Sequence, residues 1–133
     1  MTAVGLVLLG GALGSIWRFS WSGLVAERFG ETFPYGTLIV NLTGSLLIGL
    51  GSGYLTRFGG AAWALPARQF LLVGICGGLT TFSSFSLQTL NLIVSRRWAA
   101  AFTNILMSTT LCIGLTAAGW GLGYLIPLVT GKS

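Results

Sequence analysis

The residues best suited to chemistry in this chain lie in one stretch, Gly74 to Gln88, reading GICGGLTTFSSFSLQ. Hydroxyls and amide N–H groups donate hydrogen bonds to anions, and the rim of a phenyl ring carries the positive part of its quadrupole. Thr80, Thr81, Ser83, Ser84 and Ser86 supply hydroxyls, and Phe82 and Phe85 stand three apart, hence on one helical face. The same stretch is poorly built as a helix. Gly74, Gly77 and Gly78 cost helix stability, and consecutive threonines hydrogen-bond locally instead of propagating it. A Gly-rich packing kink with two lipid-facing rings would explain each residue singly. It explains the break, the Thr pair and the spaced Phe pair together far less well.

Other polar groups fall inside apolar runs. Asn41 has Thr37 one turn before it and Ser45 one turn after. An Asn in a membrane must find partners, so it acts either as interhelical glue or as a donor to something that passes. Asn104, Ser108, Cys112 and Thr116 recur every four residues and form one weakly polar stripe, a packing seam or one wall of a polar path. Arg18 lies late in the first apolar run. It either snorkels to the surface or makes an electropositive mouth that attracts anions.

These groups need elements to hold them. Of the 133 residues, 7% are charged and 53% hydrophobic, which marks a single-domain integral membrane protein of the all-α class. The pI near 10 comes from basic residues scattered at the ends of apolar runs, so they read as membrane anchors and not as a nucleic-acid surface. Four transmembrane helices are expected at about residues 3–26, 35–56, 69–95 and 98–126, the third with a break. Irregular backbone at that depth survives only where it is buried in protein or lines a wet cavity. The first run lacks the basic flank of a signal peptide and reads as a retained span. Pro34 reads as a first-turn residue opening the second span, and Glu27, Arg28 and Glu31 as a short polar link before it. A second link is expected from Arg57 to Arg68, and Arg96 and Arg97 should close the third span in a tight turn.

Glycines recur at small-xxx-small spacing in every span: Gly10 and Gly14, Gly49 and Gly53, Gly74 and Gly78, Gly119 and Gly123. Such pairs let helix backbones approach closely and predict a compact bundle. A bundle of four short helices is too small to enclose a generous pore, so a homodimer is expected. Arg57, Arg68 and Lys132 fall on one side of the membrane and Arg28, Arg96 and Arg97 on the other, three against three. The positive-inside rule then selects no orientation, and insertion both ways followed by antiparallel pairing is expected.

Several function classes are disfavoured. The chain has no histidine, so a Ser or Cys nucleophile lacks its usual base, and Glu27 and Glu31 lie in a link. Cys76 and Cys112 have no partners at metal spacing and read as buried free thiols. A small dual-topology multidrug/proton exchanger would need a carboxylate within a span, and none is present. A structural membrane protein has no use for a broken helix with Thr and Phe at the break. The residues favour a passive path for small anions, without saying which anion.

Three stretches add to this reading. GGALGSIWRF at Gly10 to Phe19, GTLIVNLTGSLLIG at Gly36 to Gly49 and GGLTTFSSFS at Gly77 to Ser86 resemble the signatures of the Fluc family, the CrcB-type fluoride channels. The resemblance spans essentially all four apolar runs. It implies a fluoride-selective channel of the bacterial inner membrane that exports fluoride from the cytoplasm through two pores of an antiparallel, dual-topology homodimer. It further implies that Phe82, Phe85 and Asn41 line the pore, with Ser108 and Thr116 on a polar track and Arg18 near the vestibule; Ser83, between the two rings in sequence, is added as a pore candidate. By the same resemblance the backbone carbonyls of Gly77 and Thr80 hold a structural sodium ion shared by the two subunits. Three positions depart from the family pattern: Cys112 where a hydroxyl is expected, Ser84 where Thr is common, and Gln88 where some relatives carry an acid.

Overall fold

The computed structural model describes residues 2–129; among them every regular element is a helix. Helix α1 spans Ala3–Phe29 and α2 spans Tyr35–Arg57. The third span, Ala64–Val94, is composite: α3 (Ala64–Ala67), a π-helical stretch Arg68–Cys76, α4 (Gly77–Leu79) and α5 (Phe82–Val94). Helix α6 runs Trp98–Val129. All four spans are long and apolar enough to cross a membrane.

The helix ends follow local chemistry. Thr2 caps α1, its hydroxyl accepting from the Gly5 N–H at 3.3 Å. Gly30 ends α1 with φ 74°, and its N–H reaches the Ala26 carbonyl at 2.8 Å. The turn into α6 closes with paired bonds, Arg96 N–H to Ile93 O at 2.9 Å and Arg97 N–H to Leu92 O at 2.8 Å. That is the Schellman pattern, with Arg96 at φ 57° where glycine is commoner. Arg97 also donates through Nη1 to the Thr32 carbonyl, tying this turn to the link between α1 and α2.

Some boundaries differ from the sequence expectation. Glu27 and Arg28 belong to the last turn of α1 and not to the link, because nothing in that sequence stops the helix before Gly30. Pro34 precedes the first helical turn at φ −76° and ψ 56°, so it caps α2 and does not open it. Half of the expected second link is helical from Ala64, and Pro66 sits where a first turn tolerates a missing N–H. Lys132 lies outside the described residues.

The bundle is built on two close seams. At α2 against α6, the most extensive contact in the molecule, Gly49 and Gly53 lie on the Thr116 and Trp120 carbonyls, while Gly119 and Gly123 lie on the Leu46 and Leu50 carbonyls. At α1 against the third span, Gly10 and Gly14 meet the backbone of Phe70, Gly74 and Ile75, and Gly74 and Gly78 meet that of Gly10 and Gly11. A Cβ on any of these eight glycines would stand under 3.0 Å from neighbouring backbone. In lipid, where apolar burial gives helices little reason to associate, such backbone contact is the main source of cohesion.

This contrast is testable on one helix. Gly123→Ala should cost about 1–3 kcal/mol because backbone, unlike a side chain, cannot move aside. Gly121→Ala, two residues away with nothing within 4 Å, should be close to neutral. Thermal stability of the purified protein in detergent measures both; equal losses would discount the seam.

Candidate functional site

Thr80 and Thr81 interrupt the regular helix near the middle of the third span. Their backbones are extended, at φ −81°, ψ 153° and φ −150°, ψ 108°, between helical residues ending at Leu79 and resuming at Phe82. The local bonds explain the geometry. The Thr80 N–H and hydroxyl both donate to the Cys76 carbonyl at 3.0 Å, folding that residue back on the preceding turn. The Thr81 hydroxyl caps α5, accepting from the Ser84 N–H at 3.2 Å, donating to Ser84 Oγ at 3.0 Å and lying 3.2 Å from Ser83 Oγ.

Asn41 holds the interruption from outside. Its Oδ1 accepts the Thr81 N–H at 2.7 Å and its Nδ2 donates to the Thr81 carbonyl at 3.2 Å, a two-point pairing of side-chain amide with backbone. Gly44, one turn further along α2, leaves room for the Thr80 methyl, which a Cβ there would strike. The break also leaves carbonyls without helical partners, those of Gly77 and Thr80 among them. An unbroken helix would send the Thr81 N–H to Gly77 and the Ser84 N–H to Thr80. Both donors are engaged elsewhere, so the Gly77 and Thr80 carbonyls lose the donors a helix would supply. Neutral oxygens in that condition suit a hard monovalent cation. Gly77 lies on an exposed face, with only the Leu72 carbonyl, at 4.0 Å, near where its Cβ would be.

Two cavities approach the break. The smaller, about 290 Å³, is lined by Arg18, Phe19, Ser22, Thr37, Val40, Thr81 and Ser84. The larger, about 990 Å³, opens between the ends of α1, α2 and α5, with Glu27, Glu31 and Arg97 at its wall and Gln88 and Asn91 further along. Phe19, Ser22, Thr37 and Ser84 line both. Half-buried Arg18 thus shares a small cavity with Thr81.

Comparison with known proteins narrows the reading. A family model described as CrcB-like protein, Camphor Resistance (CrcB), matches residues 5–120. The chain is 50% identical over 107 residues to a protein of Opitutus terrae named fluoride-specific ion channel FluC, covering 80% of this chain and 81% of that one. A Brucella abortus protein, fluoride-specific ion channel FluC 4, is 45% identical over 116 residues, 87% of each chain. The chain belongs to the CrcB family. It is a multi-pass protein of the bacterial inner membrane and not an enzyme.

The site residues fall into three groups. Asn41, Ser83, Gly77 and Thr80 gather at the interruption, and Arg18 reaches it through the small cavity. Phe82 and Phe85 follow it with ring centroids 5.3 Å apart and planes at 48°. Phe82 is 78% exposed, so its own chain encloses little of the ring. The stripe on α6 works within the protomer as a seam: Asn104 Nδ2 donates to Thr89 Oγ1 at 2.9 Å and Ser108 Oγ to Asn104 Oδ1 at 3.4 Å. Thr116 donates to the Ser45 carbonyl on α2 at 3.2 Å. The role of Thr81 as clamp partner and cap was not foreseen. A helix-breaking Thr with Ser three residues on, before an apolar run, is the signal that could have pointed to it.

If Asn104 and Thr89 are partners in a seam, a double-mutant cycle on Asn104→Leu and Thr89→Val should give a coupling of roughly 0.6 kcal/mol, up to about 1.7. Unfolding in detergent reads it, and additive losses would remove the pairing.

Proposed function

We propose that this protein is a fluoride-selective passive channel that lets fluoride leave the cytoplasm, working as an antiparallel, dual-topology homodimer with two pores. The observation that carries the reading is the 50% identity to a protein named a fluoride-specific ion channel, over four-fifths of both chains. The chemistry at the break agrees. Helix α5 starts at Phe82 inside the span, so the positive end of its dipole lies beside the Ser83 and Ser84 hydroxyls. Arg18 supplies a positive charge in the adjoining cavity, and both acids of the chain stand at exposed positions towards the α1–α2 link.

In this reading fluoride enters through the larger cavity, is drawn towards Arg18, and passes the break. There the edges of Phe82 and Phe85 and the Asn41 amide replace lost water, and Ser108 and Thr116 continue the path. The exposed Phe82 ring supports a dimer, since a second subunit would supply the wall that one chain lacks. The Gly77 and Thr80 carbonyls would hold a structural sodium ion, which would supply a fixed positive charge and a tie between subunits.

Fluoride efflux from liposomes containing the purified protein, run against chloride, tests the function: fluoride should leave and chloride should not. Chloride flux equal to that of fluoride would leave only a generic anion path. Phe82→Leu and Phe85→Leu separate coordination from packing. A packing role predicts a loss on the order of 1 kcal/mol in stability with flux retained. Coordination predicts folded dimers that conduct poorly, because an aliphatic chain has no electropositive rim. For topology, a single cysteine placed in the link at 58–63 should be labelled from outside intact cells on roughly half of the molecules. Labelling of all or of none would eliminate antiparallel pairing.

A further inference from the structure

We infer that Asn41 and Thr81 are positioning residues that create the cation site, by diverting the two backbone donors that would otherwise occupy its carbonyls. The inference rests on the sodium reading above and assigns its cause to side chains. A helix closing through this region would pair Thr81 N–H with the Gly77 carbonyl and Ser84 N–H with the Thr80 carbonyl. Asn41 Oδ1 takes the first donor at 2.7 Å, and the Thr81 hydroxyl takes the second at 3.2 Å. The two diversions fall on the donors that a continuous helix would send to the two carbonyls in question. Asn41 Nδ2, donating to the Thr81 carbonyl at 3.2 Å, also holds the extended backbone from its other side.

Glue and diversion differ in consequence. A glue residue joins α2 to α5, and its loss weakens the fold equally with or without sodium. A diverting residue controls whether an oxygen is available to a cation. Its loss returns an N–H to the carbonyl, and the ion must then compete with an internal hydrogen bond. Such a bond contributes about 0.5–1.5 kcal/mol, so sodium affinity should fall by up to about tenfold for each diversion removed. Asn41 thus has a second task beside lining a path, and Thr81, which no cavity argument would select for cation binding, governs it through its hydroxyl.

The experiment is a sodium titration of the thermal stability of the purified dimer, with N-methylglucamine as the replacement cation, on the parent and four variants. Thr81→Val removes the acceptor for Ser84 N–H, and Thr81→Ser keeps it. Asn41→Ala removes the acceptor for Thr81 N–H. Gly77→Ala fits within the protomer and reports on space outside it. The expected result is a sodium-dependent rise in melting temperature for the parent and for Thr81→Ser. Its midpoint should move higher, by about twofold to tenfold, in Thr81→Val and Asn41→Ala. Folded Thr81→Val or Asn41→Ala with the parent's midpoint overturns the inference, as does a Thr81→Ser that behaves like Thr81→Val. If one variant does not fold, the other still decides, since each removes one diversion. A parent without any sodium response removes the sodium reading itself. A Gly77→Ala that loses the response while the other two variants keep it leaves the site standing and removes the diversion.

Discussion

A hydrocarbon interior offers no water to an unpaired backbone group, and each such group costs several kcal/mol. Every irregular residue at membrane depth therefore has to bring its own partners. Thr80 and Thr81 do so for every group but the Thr80 carbonyl: one folds back on Cys76, the other is gripped by Asn41 and grips Ser84 in turn. The interruption is thus a fully specified conformation and not a weak point in a helix. Its geometry depends on a side chain forty positions earlier in the chain, which makes the separation of α2 from the third span a tightly constrained quantity.

That separation is set by glycine. The α2–α6 seam is closed by backbone resting on backbone, and so is the seam between α1 and the third span. Between them the break is suspended, reached from α2 by Asn41 and from α1 through the cavity that Arg18 lines. One added methyl in either seam would push the helices apart by more than the slack in a 2.7 Å hydrogen bond. The many glycines, costly for each helix alone, are what allow a polar clamp to be placed with the accuracy it needs.

Much of this was legible in the sequence for physical reasons. Hydropathy gave the four spans because a bilayer requires length and apolarity, and the four glycine pairs marked the seams because only small residues permit such contact. The Gly-Thr-Thr composition located the extended residues. Other features depend on distant partners. Asn41 could be read as glue or as donor, since nothing local names Thr81 as what it binds. The π-helical turn over Arg68–Cys76 has no signature in side-chain period; it arises where Gly10 and Gly14 of α1 press against Phe70, Gly74 and Ile75. The helix ends near Phe29 and Ala64 are not legible from charge or proline content, because charged residues continue α1 up to Gly30 and Pro66 is tolerated in a first turn.

The hydroxyls also divide by where their protons point. Ser22, Thr43, Thr56, Ser86, Thr89, Thr109 and Thr110 donate to a carbonyl one turn back and so turn lone pairs outward. A group in that state is a poor host for an anion. Thr116 is committed to the Ser45 carbonyl at 3.2 Å, so an anion drawing on it must displace a bond contributing about 1 kcal/mol. Ser108, at 3.4 Å from Asn104 Oδ1, gives up less. Thr37 is buried, lines both cavities and has no side-chain bond among the described residues. In the proposed path the approach to the break therefore offers a freer donor than the far side does. Thr37, on the cavity shared with Arg18, is a buried hydroxyl that an entering anion can recruit without breaking a bond inside the protein.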